Sequence, residues 1–150
     1  MAVPKTEIAR RMERLIETCR QHGMKVTHQR MEVFRELAGT DEHPDAEAIY
    51  RNVRKRVPAI SRDTVYRTLS SLENQGLVRK AEMLFGRSRY DANMERHHHF
   101  VCTQCGAVHD FYCEAMNDLA IPRDVASLGR VESSHVQLRG ICLACARRGR

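Results

Sequence analysis

The stretch Ser61-Arg62-Asp63-Thr64-Val65-Tyr66-Arg67-Thr68-Leu69-Ser70-Ser71-Leu72-Glu73-Asn74-Gln75-Gly76 decides how the first half of the chain folds. Val65, Leu69 and Leu72 recur at helical spacing, Ser61 is an N-cap residue, and Gly76 is a C-terminal stop. Burying that apolar stripe turns Arg62, Thr64, Tyr66, Arg67 and Ser70 outward. Thr, Tyr and Ser hydroxyls bond phosphates, and an Arg fork fits guanine O6 and N7, so this face has the chemistry of a DNA-reading helix.

Three helices are expected upstream. Ile8, Met12, Leu15, Ile16 and Cys19 share a face that ends at Gly23. Thr27 caps a second helix with Met31, Phe34, Leu37 and Ala38 inward. His43-Pro44-Asp45 opens a third, with Ile49, Tyr50 and Val53 buried, ending at Val57-Pro58. Arg51, Arg54, Lys55 and Arg56 add positive charge next to Arg62 and Arg67, with Asp63 the only acid in that span. Charge alone describes any solvated helix face. The exposed Tyr, the cap and the preceding helix favour nucleic acid instead. Downstream, residues 77–84 and 88–91 read as two strands about a turn at Phe85-Gly86-Arg87. Short helices followed by a hairpin make a winged helix-turn-helix over residues 1–91, with residues 92–96 as a hinge.

Residues 97–150 read as a smaller α/β domain, so the whole is α+β. His97 to Cys102 and Val108 to Cys113 are expected strands joined at Gln104-Cys105-Gly106. Glu114 to Ala126 is an expected helix despite Pro122. Val131 to Ile141 is a third strand, and Ala146 to Arg150 a frayed basic tail.

The 150 residues hold one ordinary domain or two small ones, and the net charge of +6 suits a polyanionic partner. No stretch is long and apolar enough to cross a bilayer, and the charged N-terminus is unlike a secretory leader, so a cytoplasmic protein without membrane contact is expected. In that compartment the six cysteines stay reduced. Cys102-x-x-Cys105 and Cys142-x-x-Cys145 supply four thiolates, a closed tetrahedral set that makes Zn(II) structural rather than catalytic. Unrelated thiol pairs or redox pairs are the lesser reading. Cys19 and Cys113 fit ordinary buried thiols.

A second set is open. On a strand, His97 and His99 share one face and His98 takes the other. Asp91 and Asp110 supply nearby oxygens, and His43 remains from the front half, although spacing alone does not select it. Nitrogen and carboxylate ligands without thiolate suit Fe(II) or Mn(II), with zinc an alternative occupant.

Taken together, the chain resembles the ferric uptake regulator family along essentially its whole length. The matching stretches are Gly23-Met-Lys-Val-Thr27-His-Gln-Arg30, His43-Pro44, Asp63-Thr-Val-Tyr66-Arg67, Gly76-Leu-Val78, Arg89-Tyr-Asp91, His97-His-His99-Phe-Val-Cys102-Thr-Gln-Cys105-Gly106 and Gly140-Ile-Cys142-Leu-Ala-Cys145. The resemblance implies a homodimeric repressor whose Asp-Thr-Val-Tyr helix binds a palindromic operator in A/T-rich promoter DNA. Within the family the chain is most similar to the peroxide-sensing, PerR-like branch. That likeness implies a regulatory Fe/Mn site of His43, Asp91, His97, His99 and Asp110, with His43 and His97 as the oxidation-sensitive ligands. Asp110 stands where iron-uptake members usually carry Glu, and no cysteine lies between 20 and 101, where zinc-uptake members recruit one.

The chain also departs from the pattern. Thr27-His28 replaces the usual Thr-Pro, and Arg96 is atypical. His98 offers an extra ligand. His135 lies one residue nearer Cys142 than the family's strand histidine, which argues against a third metal site. A metal-homeostasis regulator, for which occupancy is itself the signal, is the nearest alternative. A zinc hydrolase or deaminase needs an open zinc position, and no His-x-Glu adjoins the cysteine pairs. An interaction module without DNA binding is disfavoured by the Asp-Thr-Val-Tyr helix.

Overall fold

The computed structural model describes residues 3–84 and 87–149. The chain divides into two compact units, Met1–Met94 and Glu95–Arg150, the break falling inside the stretch expected to be a hinge.

The first unit contains α1 (Lys5–Gln21), α2 (His28–Ala38), α3 (Ala46–Arg54), α4 (Arg62–Asn74), β1 (Arg79–Leu84) and β2 (Arg87–Asp91). Each of α2, α3 and α4 starts on a side-chain cap. Thr27 accepts from the Arg30 N–H, Asp45 from Ala48 and Ser61 from Thr64, so one otherwise unbonded donor of each first turn is satisfied. Helix α4 ends at Gly76, whose φ of +70° lets Gly76 N–H reach the Glu73 carbonyl and Leu77 N–H the Leu72 carbonyl. A side chain there would meet the left-handed steric penalty. The same pair of bonds closes α1 at Gly23.

Leu15, Val33, Phe34, Leu37, Ile49, Val53, Val65, Leu69 and Leu72 form the heart of the core. Most of the expected inward residues are in this core, although Ile8 and Met31 sit at its edge, Ile16 is half-buried outside it, and Val33 joins it. Leu77 and Val78 are core residues ahead of β1 rather than part of it. Strands β1 and β2 pair antiparallel, with Arg79 opposite Asp91. Phe85 and Gly86 of the expected turn lie outside the described residues.

Strand β2 also holds the loop before α3. Tyr90 N–H donates to the Pro44 carbonyl, Asp45 bridges to Arg89, and the Arg89 guanidinium donates to the His43 carbonyl. His43 itself sits at φ 52°, a region that non-glycine residues rarely adopt.

The second unit contains β3 (His98–Cys102), β4 (Val108–Phe111), α5 (Glu114–Asn117), α6 (Arg123–Ala126), β5 (Gln137–Gly140) and α7 (Leu143–Arg148). Strand β3 is central, antiparallel to β4 and parallel to β5. Three expectations need correction here. The segment 114–126 is not one helix: Pro122 has no N–H to donate and pushes Ile121 away from helical backbone, and neither short helix has a buried residue to hold it. The third strand pairs only from Gln137, which lies opposite His99 near the start of β3. The basic tail is helical from Leu143, where the Cys142 sulfur accepts the Cys145 N–H as a cap.

Candidate metal centres and recognition helix

Four cysteine sulfurs converge at one end of β3. Gly106, at φ +72°, turns the chain after Cys105 and lets its N–H reach the Cys102 carbonyl. Cys142 is carried in by the end of β5, which Thr103 ties down by donating its N–H to the Gly140 carbonyl. The four Sγ atoms lie within 4.8 Å of one another, and Cys105 and Cys142 are 3.9 Å apart. A tetrahedron with Zn–S bonds of about 2.3 Å has edges of roughly 3.8 Å, so the thiols stand at zinc spacing. Backbone N–H groups of Cys105 and Cys142 hold the Cys102 thiol down at about 6. Hydrogen bonds to Cys142 and Cys105 push Cys145 up to about 12. Successive deprotonation of clustered thiols is resisted by the charge already present, and a divalent cation relieves it. All four sequence-assigned thiols are brought together, and as four thiolates they would fill every position of a tetrahedral zinc site.

The nitrogen and oxygen ligands are arranged differently. In the first unit, the His43 Nδ1 donates to the Asp41 carbonyl at 2.8 Å. A carbonyl only accepts, so Nδ1 carries a proton and Nε2 is the nitrogen left to meet other groups. That Nε2 stands 3.2 Å from the Asp91 Oδ2, both side chains being buried. The other Asp91 oxygen accepts the Asn93 N–H, which fixes the carboxylate at the end of β2.

In the second unit, the His97 Nδ1 donates to the Glu95 carbonyl at 2.6 Å. Its Nε2 lies 3.1 Å from the His99 Nε2 and 3.5 Å from the Asp110 Oδ1, and the His99 Nε2 is 3.4 Å from that same oxygen. The β3–β4 register sets His99 directly opposite Asp110. Imidazoles pinned through one nitrogen with the other turned toward carboxylate are the arrangement of metal-ligating histidines. Both sets lack thiolate and suit Fe(II) or Mn(II).

His98 is not an extra ligand. Its Nδ1 accepts the Val136 N–H and its Nε2 donates to the Asn117 Oδ1, so both nitrogens of this fully buried ring serve the fold. The period-two alternation of the strand already pointed it away from His97 and His99. His135 is exposed, with its ring 6.2 Å from that of His99.

On α4, Arg62, Tyr66, Arg67 and Ser70 are exposed, and Thr64 is half-buried beside its cap, bonded to the Ser61 hydroxyl. Tyr66, Arg67 and Ser70 line a polar groove with Ser71, Asn74 and Gln75, three residues beyond those singled out from the sequence. Arg67 pairs with Asp63 one turn back, whereas Arg62 reaches across to Glu47 on α3. Arg56 does not belong to this face. It is drawn onto α2 by Glu32 at 2.6 Å and Glu36 at 3.0 Å, a long-range pairing that leaves no local signal in the chain.

A four-helix winged unit followed by a unit with a four-thiolate cluster and a histidine–aspartate set is the make-up of a metal-responsive DNA-binding regulator. A profile of the ferric uptake regulator family matches residues 21–139, and the chain belongs to that family. It is 30% identical over 145 residues to the peroxide-responsive repressor PerR of Staphylococcus aureus, which covers 97% of this chain and 98% of the relative. The Campylobacter jejuni peroxide stress regulator is 31% identical, with a TM-score of 0.66 over 87% of this chain and 98% of that one. A zinc uptake regulator solved with zinc and DNA is 26% identical, with a TM-score of 0.69 over 97% of this chain and 99% of that one.

Proposed function

We propose that this member of the family is a homodimeric, metal-dependent repressor that senses hydrogen peroxide through oxidation of a ligand histidine and then releases operator DNA. The observation that carries the reading is the pinned geometry of His43 and His97. Each has its Nδ1 committed to a backbone carbonyl and its Nε2 directed at a carboxylate, in a set without thiolate. The likeness to two peroxide-responsive regulators supports it.

In this reading Zn(II) at Cys102, Cys105, Cys142 and Cys145 keeps the second unit folded. One Fe(II) or Mn(II) takes His43 and Asp91 from the first unit and His97, His99 and Asp110 from the second. Its ligands then come from both sides of the hinge at 92–96, so occupancy and the orientation of the recognition helices are coupled. The described residues include no helix long and apolar enough to cross a membrane. Arg62, Thr64, Tyr66, Arg67 and Ser70 contact a palindromic operator in A/T-rich promoter DNA, two copies of α4 entering successive major grooves. Fe(II) held by these residues would catalyse cleavage of the peroxide O–O bond without being consumed. One peroxide oxygen ends on an imidazole carbon of His43 or His97 and the other leaves as water, a net two-electron oxidation of the ring. The oxidised ring is a poor ligand, metal affinity falls, and the DNA-binding orientation is lost.

Peptide mass spectrometry tests this on zinc-containing dimer loaded anaerobically with Fe(II) and given a small excess of peroxide, beside an Mn(II)-loaded control. One added oxygen on the peptides holding His43 or His97, only with iron, is the expected result. Unmodified histidines would leave a regulator of metal homeostasis for which occupancy is the signal.

A further inference from the structure

We infer that Glu47, seated on α3 and lying outside every set of residues assigned above, is a positioning residue for sequence readout by Arg62. The inference rests on the reading of α4 as the DNA-recognition helix. The Arg62 Nε donates to one Glu47 oxygen at 3.1 Å and the Nη2 to the other at 3.1 Å, a two-pronged contact between different helices. The central carbon of the same guanidinium lies over the Tyr50 ring, 4.6 Å from its centroid. Tyr50 is buried in the core, and Glu47 projects from the first turn of α3, which the Asp45 cap anchors. Arg62 is therefore held from the side and from below by one rigid element.

Surface ion pairs contribute little to folding stability, and Arg62 and Glu47 keep 62% and 36% of their side-chain surface exposed. Geometry is what the contact supplies. Of the five guanidinium N–H donors, Glu47 engages two along the Nε–Nη2 edge. The Nη1–Nη2 edge keeps two parallel donors, the pattern that matches guanine O6 and N7. Holding the side chain in one rotamer before DNA arrives removes an ordering cost from the specific complex. It also places a carboxylate next to the DNA, which disfavours loose phosphate contacts. Arg67 has no comparable brace, because its partner Asp63 sits one turn away on the same exposed helix.

The experiment selects binding sites from a randomised duplex library with zinc-containing, Mn(II)-loaded protein, for the native chain, Glu47→Ala, Glu47→Gln and Arg62→Ala. Affinities for the selected and a scrambled duplex are then compared across salt concentrations. Equal zinc content and thermal transition establish that each variant is folded. Native protein should select a motif containing a G·C pair that Arg62→Ala no longer requires. Glu47→Ala should relax the same base pair by on the order of tenfold while its affinity for scrambled duplex rises. Glu47→Gln, which keeps one acceptor, should fall between. If Glu47→Ala shifts both affinities equally and leaves the motif unchanged, Glu47 is only a surface ion-pair partner and the inference is overturned. An Arg62→Ala motif identical to the native one overturns it as well. Failure of the native chain to select any motif would instead overturn the DNA-binding reading beneath it.

Discussion

Individual side chains here do opposite jobs with the same chemistry. His97, His98 and His99 are consecutive, yet His98 spends both nitrogens on Val136 and Asn117 while each neighbour turns its Nε2 toward Asp110. Arg56 and Arg62 are both basic residues near α4, yet Arg56 is held on α2, away from the outward face of α4 proposed to meet DNA. That pairing has a measurable consequence. Hydrogen bonding from Arg56 holds the Glu32 carboxyl below its ordinary value of 4.5. A depressed native value means that the contribution is fully present above the unfolded value and is lost as pH falls through the native one. Glu32→Gln should cost about 1–2 kcal/mol at neutral pH and flatten the loss of stability below the ordinary carboxyl range. Urea denaturation across a pH series checks this, and parallel native and variant curves would show that the pair does not govern acid stability.

Elements are set by their ends as much as by their stripes. Helix α4 has Ser61 at one end and Gly76 at the other, and its buried Val65, Leu69 and Leu72 decide which side faces outward. Ser61 satisfies the Thr64 N–H and also bonds the Thr64 hydroxyl, so the cap orders one of the proposed DNA contacts. Ser61→Ala should destabilise the first unit by about 1 kcal/mol. Chemical denaturation measures it, and an unchanged midpoint would mean that water replaces the cap without loss. The short α5 and α6 show the converse: without caps or a buried stripe, helical residues around Pro122 do not join into one helix.

For the molecule taken whole, the two units differ in what holds them. The hydrophobic cluster lies entirely in the first unit, while the buried apolar side chains described in the second are Val101, Cys102 and Val108. Leu119, Ile121, Val125, Leu128, Val131, Leu138, Ile141 and Leu143 are exposed in the isolated chain, a surface that the proposed homodimer would cover. A core so small depends on other terms, and zinc bound at four thiolates would contribute on the order of 10 kcal/mol. Zinc removal by a strong chelator, or Cys145→Ser, should abolish sheet structure and self-association in the second unit while α1–α4 stay helical. Circular dichroism with sedimentation reads both. A metal-free protein that remains a fully folded dimer would show the thiols to be dispensable.

The amino-acid order by itself determined the helices of the first unit, their caps and the outward face of α4, because periodicity and capping are local properties of the chain. It also determined the zinc-type set, since paired Cys-x-x-Cys spacing brings its chemistry with it, and the sharing of a face by His97 and His99. Family likeness was needed to select His43, because a histidine in a loop carries no periodic signal. Tertiary structure alone decided the rest. It committed His98 to the fold through partners far along the chain, drew Arg56 away from the proposed DNA face, and braced Arg62 on Glu47. It also limited the third strand to the few residues that β3 runs beside. Each of these depends on which groups arrive from elsewhere, and a side chain's partners across the fold leave no mark at its own position in the sequence.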